Sequence, residues 1–285
     1  MSSVAPMERI YLDNAATSWP KPPEVYEAVD RYQREVGAPA GRSAYAEASE
    51  VESAIARARS TIARLIGATS PKQVMFAFNG TDALNIAIHG LLEPGGHVVT
   101  SEAEHNSVLR PLRLQADRHG VEVSYVPCDG RGVVDPDGFA RAIRPDTRLV
   151  VLTHASNVTG ALQPAAEVGQ LARERGIPFL LDAAQSLGDL PINVQTLNVD
   201  LLAAPGHKGL LGPLGTGVLY VGPGLEDRLV PLRQGGTGSR SEEDVQPSSL
   251  PDRYESGNHN VPGLVGLEAA VRWLAERGTA SIRQH

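Results

Sequence analysis

The stretch Asp200-Leu201-Leu202-Ala203-Ala204-Pro205-Gly206-His207-Lys208-Gly209 decides the architecture of this chain. It reads as a short apolar strand running into a glycine-flanked loop that carries a lysine. An apolar strand without a polar face belongs to a sheet covered by helices on both sides. Upstream, Ile177 to Leu181 is a second apolar run, and it ends in Asp182-Ala183-Ala184-Gln185. An acid at the end of one buried strand and a lysine past the end of another form a candidate pair.

The rest of the chain repeats the pattern. Val74–Phe78, His97–Thr100, Val121–Val126, Leu149–Leu152 and Gly217–Val221 read as further strands. Helical patterns at 82–90, 107–119, 135–143 and 165–175 fall between them. Alternating β and α elements predict an α/β fold, a three-layer α/β/α arrangement with a mostly parallel sheet. In such folds ligands sit in loops at the carboxyl ends of the strands. Helices are also expected from Glu24, at 50–66 and at 261–277, the last followed by a tail with no packed element. The polar stretch Gln234–Ser256 reads as a long loop.

Composition narrows the classes. Hydrophobic residues make up 41% and charged residues 21%, ordinary for a globular protein. The net charge of -7 argues against a broad nucleic-acid surface. The single cysteine, Cys128, excludes an intrachain disulfide and suits a reducing cytoplasm. Met1–Glu8 lacks the pattern of a secretory leader. No run approaches the roughly 18 apolar residues of a membrane helix. No Cys/His cluster has zinc spacing, so no metal is expected.

Pyridoxal 5'-phosphate (PLP) uses a lysine to hold its aldehyde as a Schiff base and a carboxylate to keep its ring nitrogen protonated. Lys208 and Asp182 are candidates for those two roles. Asp182 could equally cap a helix, and Gln185, three residues on, could be its capping partner or reach the cofactor's phenolic oxygen. Asn79-Gly80-Thr81 opens a helix, where backbone N–H groups and a hydroxyl can bind phosphate, although many helices start this way. His207 is a second phosphate candidate or a structural histidine. His105 follows a strand and could stack on a pyridine ring and shuttle protons. Asn157 is a cofactor or substrate contact, or a turn residue.

Together these residues resemble the class V aminotransferase family of fold-type I PLP enzymes, with cysteine desulfurases and selenocysteine lyases the nearest branch. The likeness starts at Ile10-Tyr11-Leu12-Asp13-Asn14-Ala15-Ala16-Thr17 and runs to about Arg277. It implies that Lys208 binds the cofactor and that Asp182 faces the ring nitrogen. Gln185 would contact the phenolic oxygen, and His105 would stack on the ring. Gly80, Thr81 and His207 would hold the phosphate, and Asn157 would touch cofactor and substrate. Thr237, in Gly235-Gly236-Thr237-Gly238, resembles the residue that reaches a partner subunit's phosphate, which implies a homodimer. The division implied is 1–20 as an N-terminal segment near the active site, 21–260 as a PLP-binding large domain and 261–285 as the start of a linker helix.

The resemblance implies a desulfurase acting on L-cysteine, with alanine as product and a sulfur-acceptor protein as a further partner. A selenocysteine or cysteine lyase, an aminotransferase or an inactive fragment are the alternatives. Three departures stand out. Pro205 replaces a Ser or Thr usual in the family, and Asn258-His259 replaces Thr-Pro. Relatives also continue into a small C-terminal domain bearing the sulfur-accepting cysteine and a carboxylate-binding arginine. Cys128 lies far from that cysteine's place. An unfinished chain is expected to expose the apolar face of Ala269–Leu274 and to aggregate.

Overall fold

The computed structural model describes residues 10–41, 45–239 and 242–284. The reading of Met1–Glu8 therefore lies outside the described residues. Seven strands form one sheet: β1 (Val74–Ala77), β2 (His97–Ser101), β3 (Glu122–Val126), β4 (Thr147–Thr153), β5 (Phe179–Asp182), β6 (Leu201–Pro205) and β7 (Gly217–Val221). Their order is β1-β7-β6-β5-β4-β2-β3. All neighbours are parallel except those of β7, which runs against both β1 and β6.

Alternation along the strands divides the interior into two cores. Phe179 and Leu181 face one side, with Val150, Leu152 and Leu202, and Leu180 faces the other with Val151, Leu201 and Ala203. The first side is covered by α2 (Ala46–Leu65), α6 (Ala165–Glu174) and α7 (Val261–Arg277). The second is covered by α3 (Gly80–Leu91) and α4 (Asn106–His119). The expected three-layer α/β/α fold is the one observed. α1 (Pro23–Arg31) packs on α7, and α5 (Pro136–Ala142) packs near α6. No helix among the described residues is long and apolar enough to cross a membrane.

The reversal of β7 has a local result. Its first residue, Gly217, lies at the same sheet end as the last residues of β1 and β6, paired with Ala77 and Pro205. A Cβ on Gly217 would lie 2.5 Å from the Asn79 carbonyl oxygen. Two loops thus converge over a position that has no side chain.

Two expectations at the end of the chain need correction. Ala269, Ala270, Val271 and Leu274 are buried, because α1 and α2 cover that face of α7. The tail forms α8 (Thr279–Gln284), and Ile282 packs against the core. Boundaries also shift. β1 stops at Ala77, and Phe78 turns outward with its N–H donating to Asp82 Oδ2 at 2.8 Å. α2 starts four residues before the expected Glu50.

Candidate active site

Five strand ends supply the walls of one cleft. β1 leads into Asn79, Gly80 and Thr81, and β2 into His105. β4 leads into Asn157, β5 ends in Asp182 with Gln185 beyond, and β6 leads through Pro205 to His207 and Lys208. All of these residues line the same cleft, which encloses about 510 Å³ of empty space including its mouth. Thr237 lies elsewhere, in the long loop, where its hydroxyl donates to the Ser239 carbonyl at 3.2 Å. Cys128 is half-buried, bridges to Val134 and is not among the lining residues. Burial and the nearby carboxylates of Glu102, Glu104 and Asp129 push its thiol pKa up, away from the thiolate.

The floor of the cleft is an electrostatic pair. Asp182 is only 2% exposed, and its Oδ1 accepts the Ala184 N–H at 2.9 Å. That bond closes a turn, since no helix starts between β5 and β6 and the capping reading does not hold, and the carboxylate still lines the cleft. Burial raises the Asp182 pKa, and the Ala184 N–H and the nearby charges of His105 and Lys208 only partly offset it. Lys208 is half-buried, and desolvation lowers its pKa against the pull of Asp182. Both groups are shifted toward their neutral forms. A neutral lysine amine is a nucleophile, and a buried acid is ready to stabilise a cation brought to it.

His105 sits at the cleft mouth as the N-cap of α4. Its Nδ1 accepts the Ser107 N–H at 3.1 Å, and Ser107 Oγ lies 2.9 Å away. With Nδ1 accepting, the proton of the neutral ring is on Nε2. Ser107 Oγ is also 2.7 Å from Thr81 Oγ1, so one hydroxyl links the helix start to the histidine. Gly80 opens α3 directly against Pro205, and N–H groups of that first turn lack helical acceptors. His207 Nδ1 lies 3.0 Å from Thr17 Oγ1. Burial, then Lys208 and Lys21, pull the His207 pKa down to about 4. Gln185 donates to the Ala15 carbonyl at 3.0 Å. Asn157 is exposed at the rim, in a turn where Ser156 Oγ accepts the N–H of Val158 and of Thr159 at 3.2 and 3.3 Å.

Sequence reasoning missed several neighbours. Glu104 is 6% exposed, and its Oε1 accepts the Ser101 hydroxyl at 2.6 Å and the Thr153 N–H at 2.9 Å. Its Oε2 is buried with no hydrogen-bond partner. Desolvation, reinforced by Asp182 and partly offset by the Ser101 and Thr153 bonds, pushes its pKa up to about 7. Ser107, Ser18 and Lys21 were missed as well. The only local signal was the His105-Asn106-Ser107 helix start, an ordinary one.

This donor set suits a ligand with an aldehyde, a basic ring nitrogen and a phosphate. The half-desolvated amine matches the first, the buried acid the second, and a helix N-terminus beside hydroxyls the third. The lysine and buried acid, at the carboxyl edge of a mostly parallel sheet, define the class. The chain belongs to the aminotransferase class-V family, which it matches over residues 10–285. It is 37% identical over 282 residues to a probable cysteine desulfurase of Methanothermobacter thermautotrophicus, covering 98% of this chain and 70% of that protein. It is 38% identical over 267 residues to the cysteine desulfurase IscS of Dictyoglomus turgidum, covering 92% of this chain and 63% of that one. The apo structure of a cysteine desulfurase from Thermococcus onnurineus NA1 superposes with a TM-score of 0.88 at 33% identity, covering 96% of this chain and 69% of the other. This chain thus spans 63 to 70% of the length of these relatives.

Proposed function

We propose that this chain forms the PLP-binding large domain of an enzyme that takes sulfur from L-cysteine and leaves alanine. The observation that carries the reading is the convergence of Lys208, Asp182 and His105 on one cleft. Bound PLP supplies an electron sink beside the Cα of the amino acid. Lys208 holds the cofactor through its Nζ and, once displaced, takes or gives a proton at Cα. Asp182 keeps a proton on the ring nitrogen. His105 packs on the ring and moves protons through Nε2. Gly80, Thr81 and His207 hold the phosphate, Gln185 the phenolic oxygen, and Asn157 the substrate side. Thr237 reaches the phosphate of a second copy in a homodimer, consistent with its position away from its own cleft.

Sulfur transfer needs a thiol. L-Cysteine and an acceptor thiol give alanine and a persulfide, with the C–S bond broken and an S–S bond formed. Cys128 is outside the cleft with its thiol pKa raised, so the acceptor is a different cysteine, on another segment or on a sulfur-acceptor protein. The same observation favours a second reading, β-elimination by a lyase, which needs no thiol. The single unpaired cysteine suits a cytoplasmic protein.

Incubation with PLP and L-cysteine, with a thiol acceptor supplied, separates the readings. Alanine with persulfide or sulfide supports desulfuration, and pyruvate supports elimination. The visible absorbance of lysine-bound cofactor is expected in the unmutated chain and lost in Lys208→Ala. No absorbance change in either chain would mean that PLP is not the ligand.

A further inference from the structure

The backbone that carries Lys208 is gripped by a segment nearly two hundred positions away in sequence. The His207 carbonyl accepts the Ser18 N–H at 3.1 Å. It is also approached by Thr17 Oγ1 at 3.2 Å, Ser18 Oγ at 3.0 Å and Lys21 Nζ at 2.8 Å. The Lys208 carbonyl lies 3.0 Å from Ser18 Oγ. A carbonyl oxygen has two lone pairs, so these donors compete, and the single Ser18 hydroxyl proton must choose between two carbonyls.

Lys21 resolves that choice in part. Its Nζ also lies 2.7 Å from Ser18 Oγ. An ammonium only donates, so Ser18 Oγ accepts from Lys21 and its own proton is turned toward the carbonyls. The opposite side of the loop is blocked by backbone. A Cβ on Gly188 would lie 2.2 Å from the Gly209 carbonyl oxygen, and one on Gly209 would lie 2.5 Å from the Leu187 carbonyl oxygen. The loop is thus pressed between the 187–189 turn and the 17–21 segment. Lys21 is the one cation among these contacts, half-buried against a carbonyl. The 17–21 grip is joined by the Ala15 carbonyl, which holds the Gln185 amide on the same side of the cleft.

We propose that Lys21 is a positioning residue for Lys208. Its ammonium, through Ser18 and the His207 carbonyl, sets the backbone from which the Lys208 amine enters the cleft. The functional half of this statement rests on the reading of Lys208 as the cofactor-binding amine. Burial lowers the Lys21 pKa to about 8 by disfavouring the charge, yet the ammonium form still prevails at neutral pH and can donate to Ser18 and to the His207 carbonyl.

The test uses the full chain without cofactor and then with PLP. Hydrogen exchange is followed in a peptide covering 206–211 and in one covering 179–182. In Lys21→Met the first is expected to exchange roughly tenfold faster and the second to stay unchanged, the effect of one lost charge-assisted hydrogen bond. Attachment of PLP to Lys208, trapped with borohydride, is expected to slow by about the same factor. Lys21→Arg keeps a donor and a charge and is expected to recover most of both. Ser18→Ala, which removes one hydroxyl and no charge, is expected to show a smaller effect of the same sign.

Unchanged exchange of 206–211 in both Lys21→Met and Ser18→Ala overturns the proposal. Equal acceleration in 179–182 overturns it too, since Lys21 would then serve general stability. Faster exchange with normal trapping also overturns it. Failure of the unmutated chain to bind PLP is a separate result, which sinks the cofactor reading and leaves the exchange measurement to judge the grip.

Discussion

Glu104 and Asp182 are joined through a single residue. The Glu104 carboxyl accepts the N–H of Thr153, and Thr153 pairs with Asp182 across β4 and β5. Two buried acids therefore sit at one sheet edge, where both cannot carry charge cheaply. Burial raises the pKa of both carboxyls, that of Glu104 to about 7.

That arrangement sets a pH dependence of stability. Folded Glu104 keeps its proton to about pH 7, whereas an unfolded glutamate releases it near 4.5. Between those values the unfolded chain binds fewer protons. The Glu104 contribution is thus fully present below 4.5 and is lost as pH rises through 7. Glu104→Gln carries no such proton. Its melting temperature relative to the unmutated chain is expected to climb across that interval, and calorimetry at several pH values checks it. Parallel stability curves would refute the assignment.

Asp182→Asn should separate folding from catalysis. Burial already disfavours the Asp182 charge, and an asparagine oxygen can still accept the Ala184 N–H. The cofactor-free chain is expected to be no less stable at neutral pH. Turnover of L-cysteine is expected to fall about a hundredfold or more, the scale for loss of one preorganised electrostatic partner. Denaturant titration and product assay on the same preparation measure both.

Arg59 and Glu255 form a buried pair, with N–O distances of 2.7 and 2.8 Å. Glu255 also accepts the Phe76 N–H at 2.6 Å, and the Arg59 guanidinium donates to the Val74 carbonyl while lying 4.6 Å from the Phe76 ring. The pair ties α2 and the long loop to the edge strand β1. Glu255→Ala strands a buried guanidinium and is expected to cost about 3–5 kcal/mol. Arg59→Met with Glu255→Leu is expected to cost much less. Urea unfolding of the three chains tests the order.

Pro205 lines the cleft at a position where the family resemblance implies a hydroxyl. Pro205→Ser offers a donor beside Gly80 and Thr81. PLP is expected to bind roughly tenfold tighter, the worth of one hydrogen bond to a charged group. Fluorescence titration reads the change, and weaker binding would show that the proline's packing on Gly80 matters more.

Much of the fold was legible because the strands are short, apolar and bounded by turn residues. Lys208 and Asp182 were legible because each stands at the end of such a strand. The start of α2 was not, since Tyr45 offers no side-chain cap and Ala46-Glu47-Ala48-Ser49 carries no clear boundary. The fate of α7 was misread because its apolar face was judged without α1 and α2, which supply its cover. Nothing in Ser101-Glu102-Ala103-Glu104 marks Glu104 as buried, and its partners, the Ser101 hydroxyl and the Thr153 backbone, meet it only in the folded chain. Ser18 and Lys21 act across separations of 189 and 186 positions, and no local pattern reports such contacts.

The bare α-carbon at Gly217 works as a gauge. One neighbour of that position leads to the helix start at Gly80, and the other leads to the lysine. Any wider residue would wedge Asn79 away and, on the proposed reading, lengthen the span between the phosphate site and the amine. On that reading the fit of the cleft is governed by an atom outside its lining, and a methyl group there would mis-size the socket without altering a single lining side chain.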